Sequence, residues 1–200
     1  MKKTTLVLLS LVAASSFAAP ARAQLPNFTP FSFEVRGGLA FPQGDLAETE
    51  DDVGSVKSGY SVGVNATYHF MPLVGVYAGY TYNRFGVEGL DELDVLDQGF
   101  NLGVRAAIPT PLIPIDPYVK AGLVLNQLSF EFEGEDDDFI ESDRSVGFEI
   151  GAGVGIGLGP KLSFTPQLTY TRYAPQYEGE NDDDFKVEHL RVDVGLRIRL

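Results

Sequence analysis

Between residues 31 and 200 one pattern recurs eight times: a segment of about ten residues in which every second side chain is apolar. Period two sends consecutive side chains to opposite faces, so each segment reads as a β-strand with one greasy face. The most telling copy is "SVGFEIGAGVGIGLG", Ser145 to Gly159, with glycine at six of fifteen positions. Val146, Phe148, Ile150, Ala152, Val154, Ile156 and Leu158 share one face, while Glu149 and the glycines from Gly147 to Gly157 share the other. A dinucleotide fingerprint does not fit, because the third glycine it needs is replaced by Ile156, Leu158 or Pro160 in the frames that start at Gly151, Gly153 and Gly155. A membrane helix does not fit either. The run is shorter than the ~20 apolar residues required, contains Glu149, and carries glycines that each cost a helix up to about 1 kcal/mol.

The other seven copies are "FSFEVRGGLAF" (31–41), "GYSVGVNATYHF" (59–70), "VGVYAGYTYN" (74–83), "GFNLGVRAAI" (99–108), "PYVKAGLVLNQLSF" (117–130), "LSFTPQLTYTRY" (162–173) and "HLRVDVGLRIRL" (189–200). In the fifth strand the apolar phase changes between Leu125 and Leu128, which predicts a bulge near Asn126. Pro166 lies inside the seventh and lacks an N–H, so a local bulge or a water is expected there. Connections alternate: "MPL", "PTPLIP" and "GPK" are short, whereas "PQGDLAETEDDVGSVKS", "FGVEGLDELDVLD", "EFEGEDDDFIESDR" and "APQYEGENDDDF" are long and hold 23 of the 28 Asp and Glu residues. The net charge of -13 therefore belongs to one end of the molecule.

Eight such strands with alternately short and long links predict an all-β fold, an eight-stranded antiparallel up-and-down transmembrane β-barrel over 31–200, with both termini periplasmic. Aromatic residues support this. Phe31, Phe70 and Phe164 gather at the turn end; Phe41, Tyr60, Tyr80, Tyr82, Phe100, Phe130, Phe148 and Tyr170 gather at the loop end, as two interfacial girdles. Arg84 and Arg172 stand at the loop end, where they can snorkel toward headgroups. A soluble sandwich also alternates, but its polar face meets water and has no use for a glycine ladder. In a narrow barrel, glycine on one wall makes room for long side chains from another.

The amino terminus sets the compartment. "MKK" is a basic start, "TTLVLLSLVAASSFAA" an apolar core and "ARA" a cleavage site, so residues 1–23 read as a removed signal peptide and 24–30 as a short periplasmic segment. The absence of cysteine excludes disulfides, a lipoprotein anchor and a thiolate zinc site.

With its signal peptide, eight strands, short turns and the ending "VDVGLRIRL", the chain resembles the small outer-membrane β-barrel family of OmpA-type, OmpX-type and opacity-like proteins. That resemblance implies a bacterial outer-membrane location, contact with outer-membrane lipid, and recognition by the barrel-assembly machinery through an alternating carboxy-terminal strand. Leu196, Ile198 and Leu200 match the alternation, although the family's usual final Phe is Leu200 here. Monomeric barrels of this size act in the envelope as structural or surface-interaction proteins. Two alternatives share the architecture: a narrow porin-like channel for ions or small solutes, and a lipid-modifying enzyme.

Strand phase turns Glu34, Arg36, Arg105, Lys120, Glu149, His189, Arg191, Asp193, Arg197 and Arg199 into the lumen. Charges there must be paired or wetted, which predicts an ion-pair plug. Closure makes the first and last strands antiparallel neighbours, so Glu34 should lie level with Arg197, and Asp193 should find a nearby arginine. A hydrolase needs a nucleophile beside a base, and neither His69 nor His189 has a serine near it in the pattern, so no catalytic residue, cofactor or enzymatic activity is expected. The clusters "EGEDDDFIESD" and "EGENDDDF" lack the spacing of a calcium loop; weak binding of divalent cations is the most they imply, and they repel nucleic acid.

Overall fold

The computed structural model describes residues 30–47, 56–110, 115–132, 140–175 and 186–200. The expected leader, most of 24–30 and most of the two acidic clusters lie outside these residues. The strands are β1 Phe31–Gln43, β2 Gly59–Met71, β3 Val74–Val87, β4 Leu90–Ala107, β5 Ile115–Phe132, a two-residue β6 Ile140–Glu141, β7 Ser145–Gly157, β8 Leu162–Tyr173 and β9 Val187–Arg199. All pairings are antiparallel, and the sheet order β4-β3-β2-β1-β9-β8-β7-β5 closes through β4–β5. The two residues of β6 pair with β5 beyond the end of β7, so the ring has eight staves. Each stave has a neighbour on both sides, which satisfies the backbone groups that lipid cannot.

The partition of side chains is inside-out. Among the described residues 25 buried ones are polar or charged and 11 are hydrophobic, whereas Val62, Val76, Leu102, Val119, Leu123, Ile150, Leu168 and Val194 stand on the outer surface. Such an outer belt is suited to hydrocarbon, not to water. Phe31 and Tyr68 touch at the turn end, 5.0 Å between ring centroids, and Tyr80–Phe100 and Phe148–Tyr170 do so at the loop end. Above the loop-end rings, the arginines expected to snorkel are paired with carboxylates: Arg84 with Asp94, and Arg172 with Glu188 at 3.1 Å. Tyr170 donates to the same Glu188 at 2.7 Å.

Four expectations are corrected. The segment "FGVEGLDELDVLD" is not a long loop: β3 and β4 continue through it and turn tightly at Glu88–Gly89, where Gly89 takes φ +81°. The irregularity near Asn126 is not in β5, which keeps one register on β4 from Tyr118 to Phe132, but in the strand facing its other edge, where Ser142, Asp143 and Arg144 stand opposite only Gln127 and Leu128 between the β7 and β6 pairings. The apolar phase changes there because the environment changes: Leu125 faces outward, whereas Leu128 is fully buried inside the ring. Phe130 accordingly packs on the inner cluster and not in the outer girdle. At Pro166 the β7–β8 ladder omits the neighbouring rungs and resumes in the same register, so of the two expectations there, a bulge or a water, the bulge does not form. The register also shifts between His69 and Met71 and between Gly86 and Val87.

Glycine makes room at the wall beside Tyr77. A Cβ on Gly122 would lie 2.5 Å from Tyr77 Oη, and one on Gly103 would lie 2.6 Å from it. The β3 tyrosine crosses β4 and β5 over these two glycines to reach Glu149 on β7, 2.8 Å away. We expect Gly122→Val to lower the urea midpoint of the refolded barrel by the equivalent of about 1–3 kcal/mol, the usual cost of overpacking. Leu128→Ala should cost about 2–5 kcal/mol, as a cavity in a packed core does. Leu125→Ala, on the outer face three residues earlier, should cost clearly less; equal losses in equilibrium unfolding would contradict the inward placement of Leu128.

Candidate functional site in the barrel lumen

The inward positions of the eight staves form three stacked polar tiers beneath an apolar cap. Nearest the turn end, Glu34 on β1 and Arg197 on β9 are direct register partners and are hydrogen-bonded to each other. Arg36 and Arg105 each approach the Glu34 carboxylate to 3.8 Å. The guanidinium of Arg105 lies 3.4 Å from the centre of the Tyr118 ring, a cation–π contact, and Arg197 lies 5.2 Å from the same ring. Tyr118 donates to Gln167 at 3.0 Å, Gln167 donates to Asp193 at 3.3 Å, and Asp193 faces Arg36 Nε at 4.0 Å.

The middle tier is centred on Glu149, which is fully buried. It accepts from Tyr77 at 2.8 Å, Lys120 at 3.2 Å and Arg191 at 3.1 Å, from β3, β5 and β9 respectively. Arg36 reaches toward this tier and donates to Thr81 at 3.3 Å. The outer tier is centred on Asp97, also fully buried. Asn83, Asn126 and Tyr173 donate to it at 3.0, 2.8 and 2.9 Å, and His189 Nδ1 stands 3.5 Å away.

Above Asp97 the lumen turns apolar. Ala40, Leu46, Phe85, Val87, Val95, Leu128, Tyr173 and Val187 form a buried cluster, with Val56, Leu93 and Phe130 packed against it. Leu46 comes from a single 3-10 turn, Gly44–Leu46, after β1; Asp45 in that turn accepts from the Lys186 backbone N–H at 3.1 Å. The turn thus folds over the mouth and adds Leu46 to the cluster.

The structure brings Glu34, Arg36, Arg105, Lys120, Glu149, Arg191, Asp193 and Arg197 together in the lumen, each buried. Arg199 is not part of this network. It pairs with Asp116 at 2.7 Å on the rim, both half-exposed, because strand phase specifies a face and not the depth at which the strand leaves the ring. Leu196, Ile198 and Leu200 lie on the outer surface, and His69 is inward at the turn end, half-buried. Sequence reasoning missed Asp97, counted among the loop acids, and the inward tyrosines Tyr77 and Tyr118. Their signal was available: each lies on the inward phase of its strand.

Among the described residues no group of three or more His, Asp or Glu side chains is arranged to hold a metal ion. Residues 133–139 and 178–185, to which the divalent-cation expectation was attached, lie outside the described residues.

A family model described as "Outer membrane protein beta-barrel domain" matches residues 4–197. The chain is similar to the 25 kDa outer-membrane immunogenic protein of Brucella ovis, 28% identical over 151 residues, covering 72% of this chain and 67% of that protein. Its counterpart in Brucella melitensis is 30% identical over 128 residues, 61% of this chain and 56% of that protein, so the match spans little more than half of the relative's length. In structure the chain resembles Neisserial surface protein A, with a TM-score of 0.65 at 17% identity over 86% of this chain and 98% of the other. It also resembles a major outer membrane protein of Thermus thermophilus, with a TM-score of 0.51 at 18% identity over 85% and 99%. Its closed ring, its lipid-suited outer belt and this match over nearly the whole sequence agree: the chain belongs to the outer-membrane protein β-barrel domain family and is an outer-membrane β-barrel protein.

Proposed function

We propose that this barrel is a closed, non-enzymatic envelope protein with both termini on the periplasmic side, whose contacts with the outside are made by the acidic loop end. The observation that carries the reading is the lumen itself. Five buried cations, Arg36, Arg105, Lys120, Arg191 and Arg197, interleave with four buried carboxylates, Glu34, Asp97, Glu149 and Asp193, among the described residues. A permeating ion would have to separate pairs whose loss costs about 3–5 kcal/mol each, and then cross the apolar cap. That makes a narrow channel the weaker reading.

The same geometry argues against acyl-transfer chemistry. Asp97 and His189 stand side by side, but both are buried under the cap, where no lipid chain can reach them. The outer belt makes lipid the immediate partner, and Leu196, Ile198 and Leu200 on its surface suit recognition by the barrel-assembly machinery. Every stave already has a neighbour on both sides, which supports a monomer. The acidic clusters disfavour nucleic acid and other anionic partners and can attract divalent cations weakly. The names of the relatives, an outer-membrane immunogenic protein and a surface protein, accord with a role at the cell surface.

The decisive test is conductance. Refolded residues 24–200 in a planar bilayer should show no steady current, while Glu149→Ala, which strips Lys120 and Arg191 of their shared carboxylate, should be less stable by about 3–5 kcal/mol. A steady, salt-dependent current through the folded, unaltered barrel would replace this reading with the channel. For orientation, an epitope inserted after Gly179 should be stained on intact cells and one appended to Leu200 should not; the reverse pattern would invert the assignment of ends.

A further inference from the structure

We infer that the lumen contains a built site for a single structural water, set between the Glu149 and Asp97 tiers. A cavity of about 10 Å³ lies there, walled by residues of both tiers and by Val124. Besides His189 Nδ1, which faces Asp97 at 3.5 Å, five polar atoms on its lining residues have no hydrogen-bond partner among the described residues: Asn83 Oδ1, Asn101 Nδ2, Thr171 Oγ1, His189 Nε2 and Arg191 Nε. All five residues are more than nine-tenths buried. Leaving such atoms unsatisfied is unfavourable for each of them, so the cluster is the opposite of what an apolar void requires. A cavity of this size admits about one water, and a buried water typically makes about three hydrogen bonds.

The chemistry of the wall selects the ligand. Asn101 Nδ2 and Arg191 Nε can only donate, Asn83 Oδ1 can only accept, and Thr171 Oγ1 can do either. A cation would meet the Arg191 guanidinium, and an anion would meet the Asn83 oxygen and the Glu149 carboxylate. Water, with two donors and two acceptors, matches the mixed set. Its position also gives it a task. Asn83 is bonded to Asp97 and Arg191 to Glu149, so one bridging water joins two otherwise separate tiers into a continuous network.

A high-resolution crystal structure of the refolded chain should show one ordered water within hydrogen-bond distance of at least three of these five atoms. A dry cavity would overturn the inference, and so would an anomalous signal at this position after a bromide soak. Stability supplies an independent sign test. Thr171→Val keeps the volume and removes one partner: if the water is bound, the urea midpoint falls, whereas in a dry cavity the change deletes an unsatisfied hydroxyl and the midpoint rises or holds. Val124→Ile, which pushes a methyl group into the space, should likewise lower the midpoint; a rise would mean that the space is an ordinary apolar void.

Discussion

Closing eight strands into a ring gives every strand a neighbour on both sides for its backbone donors and acceptors, and it leaves an interior just wide enough to be filled by side chains. The rest of this molecule depends on that constraint. With one face of each strand committed to lipid, the other face has to fill the interior with whatever the sequence supplies at alternate positions. Here it supplies charge, and the charges come in compensating sets drawn from strands far apart in sequence: Glu34 meets Arg197, and Glu149 meets Tyr77, Lys120 and Arg191. Each carboxylate is shared by donors from different staves, so the tiers tie the wall together across its diameter as the backbone ladder ties it around its circumference.

Glycine and tyrosine divide the work of filling. Tyr77 lies over Gly103 and Gly122, and a Cβ on Gly153 would stand 2.5 Å from the Tyr118 hydroxyl. Each tyrosine carries a polar tip to its tier, Tyr77 to Glu149 and Tyr118 to Gln167, while its ring shields part of the charge from its surroundings. Along the glycine ladder of β7 the partners are mixed: Gly153 makes room for Tyr118, Gly151 for the Lys120 stem and Gly155 for Asp116.

Much of this was legible in the sequence because period two is a direct reading of face. The eight staves, the short turns at one end, the Glu34–Arg197 match across the closing seam and nine of the ten residues assigned to the lumen all follow from phase and topology. What phase does not carry is height. Arg199 has the right face but sits at the rim, and Asp97 was grouped with solvated loop acids although it is the centre of the outer tier. The bulge expected within β5 itself has the same origin. A shift of apolar residues from odd to even positions can mean an extra residue in the strand or a strand passing from lipid into water, and the residues alone do not distinguish them. Leu128 and Phe130 are apolar on the inner face because there the outside is wet.

The apolar cap has a consequence for assembly. Its members come from β1, β3, β4, β5, β8 and β9 and from the turn carrying Leu46, so no contiguous half of the chain can build it. Hairpins can pair one by one, but these side chains meet only when the first and last staves have joined and their upper ends stand clear of the bilayer. The cluster therefore works as a proof of completion: a chain arrested before the seam shuts keeps its greasy tips exposed to water, and only the finished ring hides them.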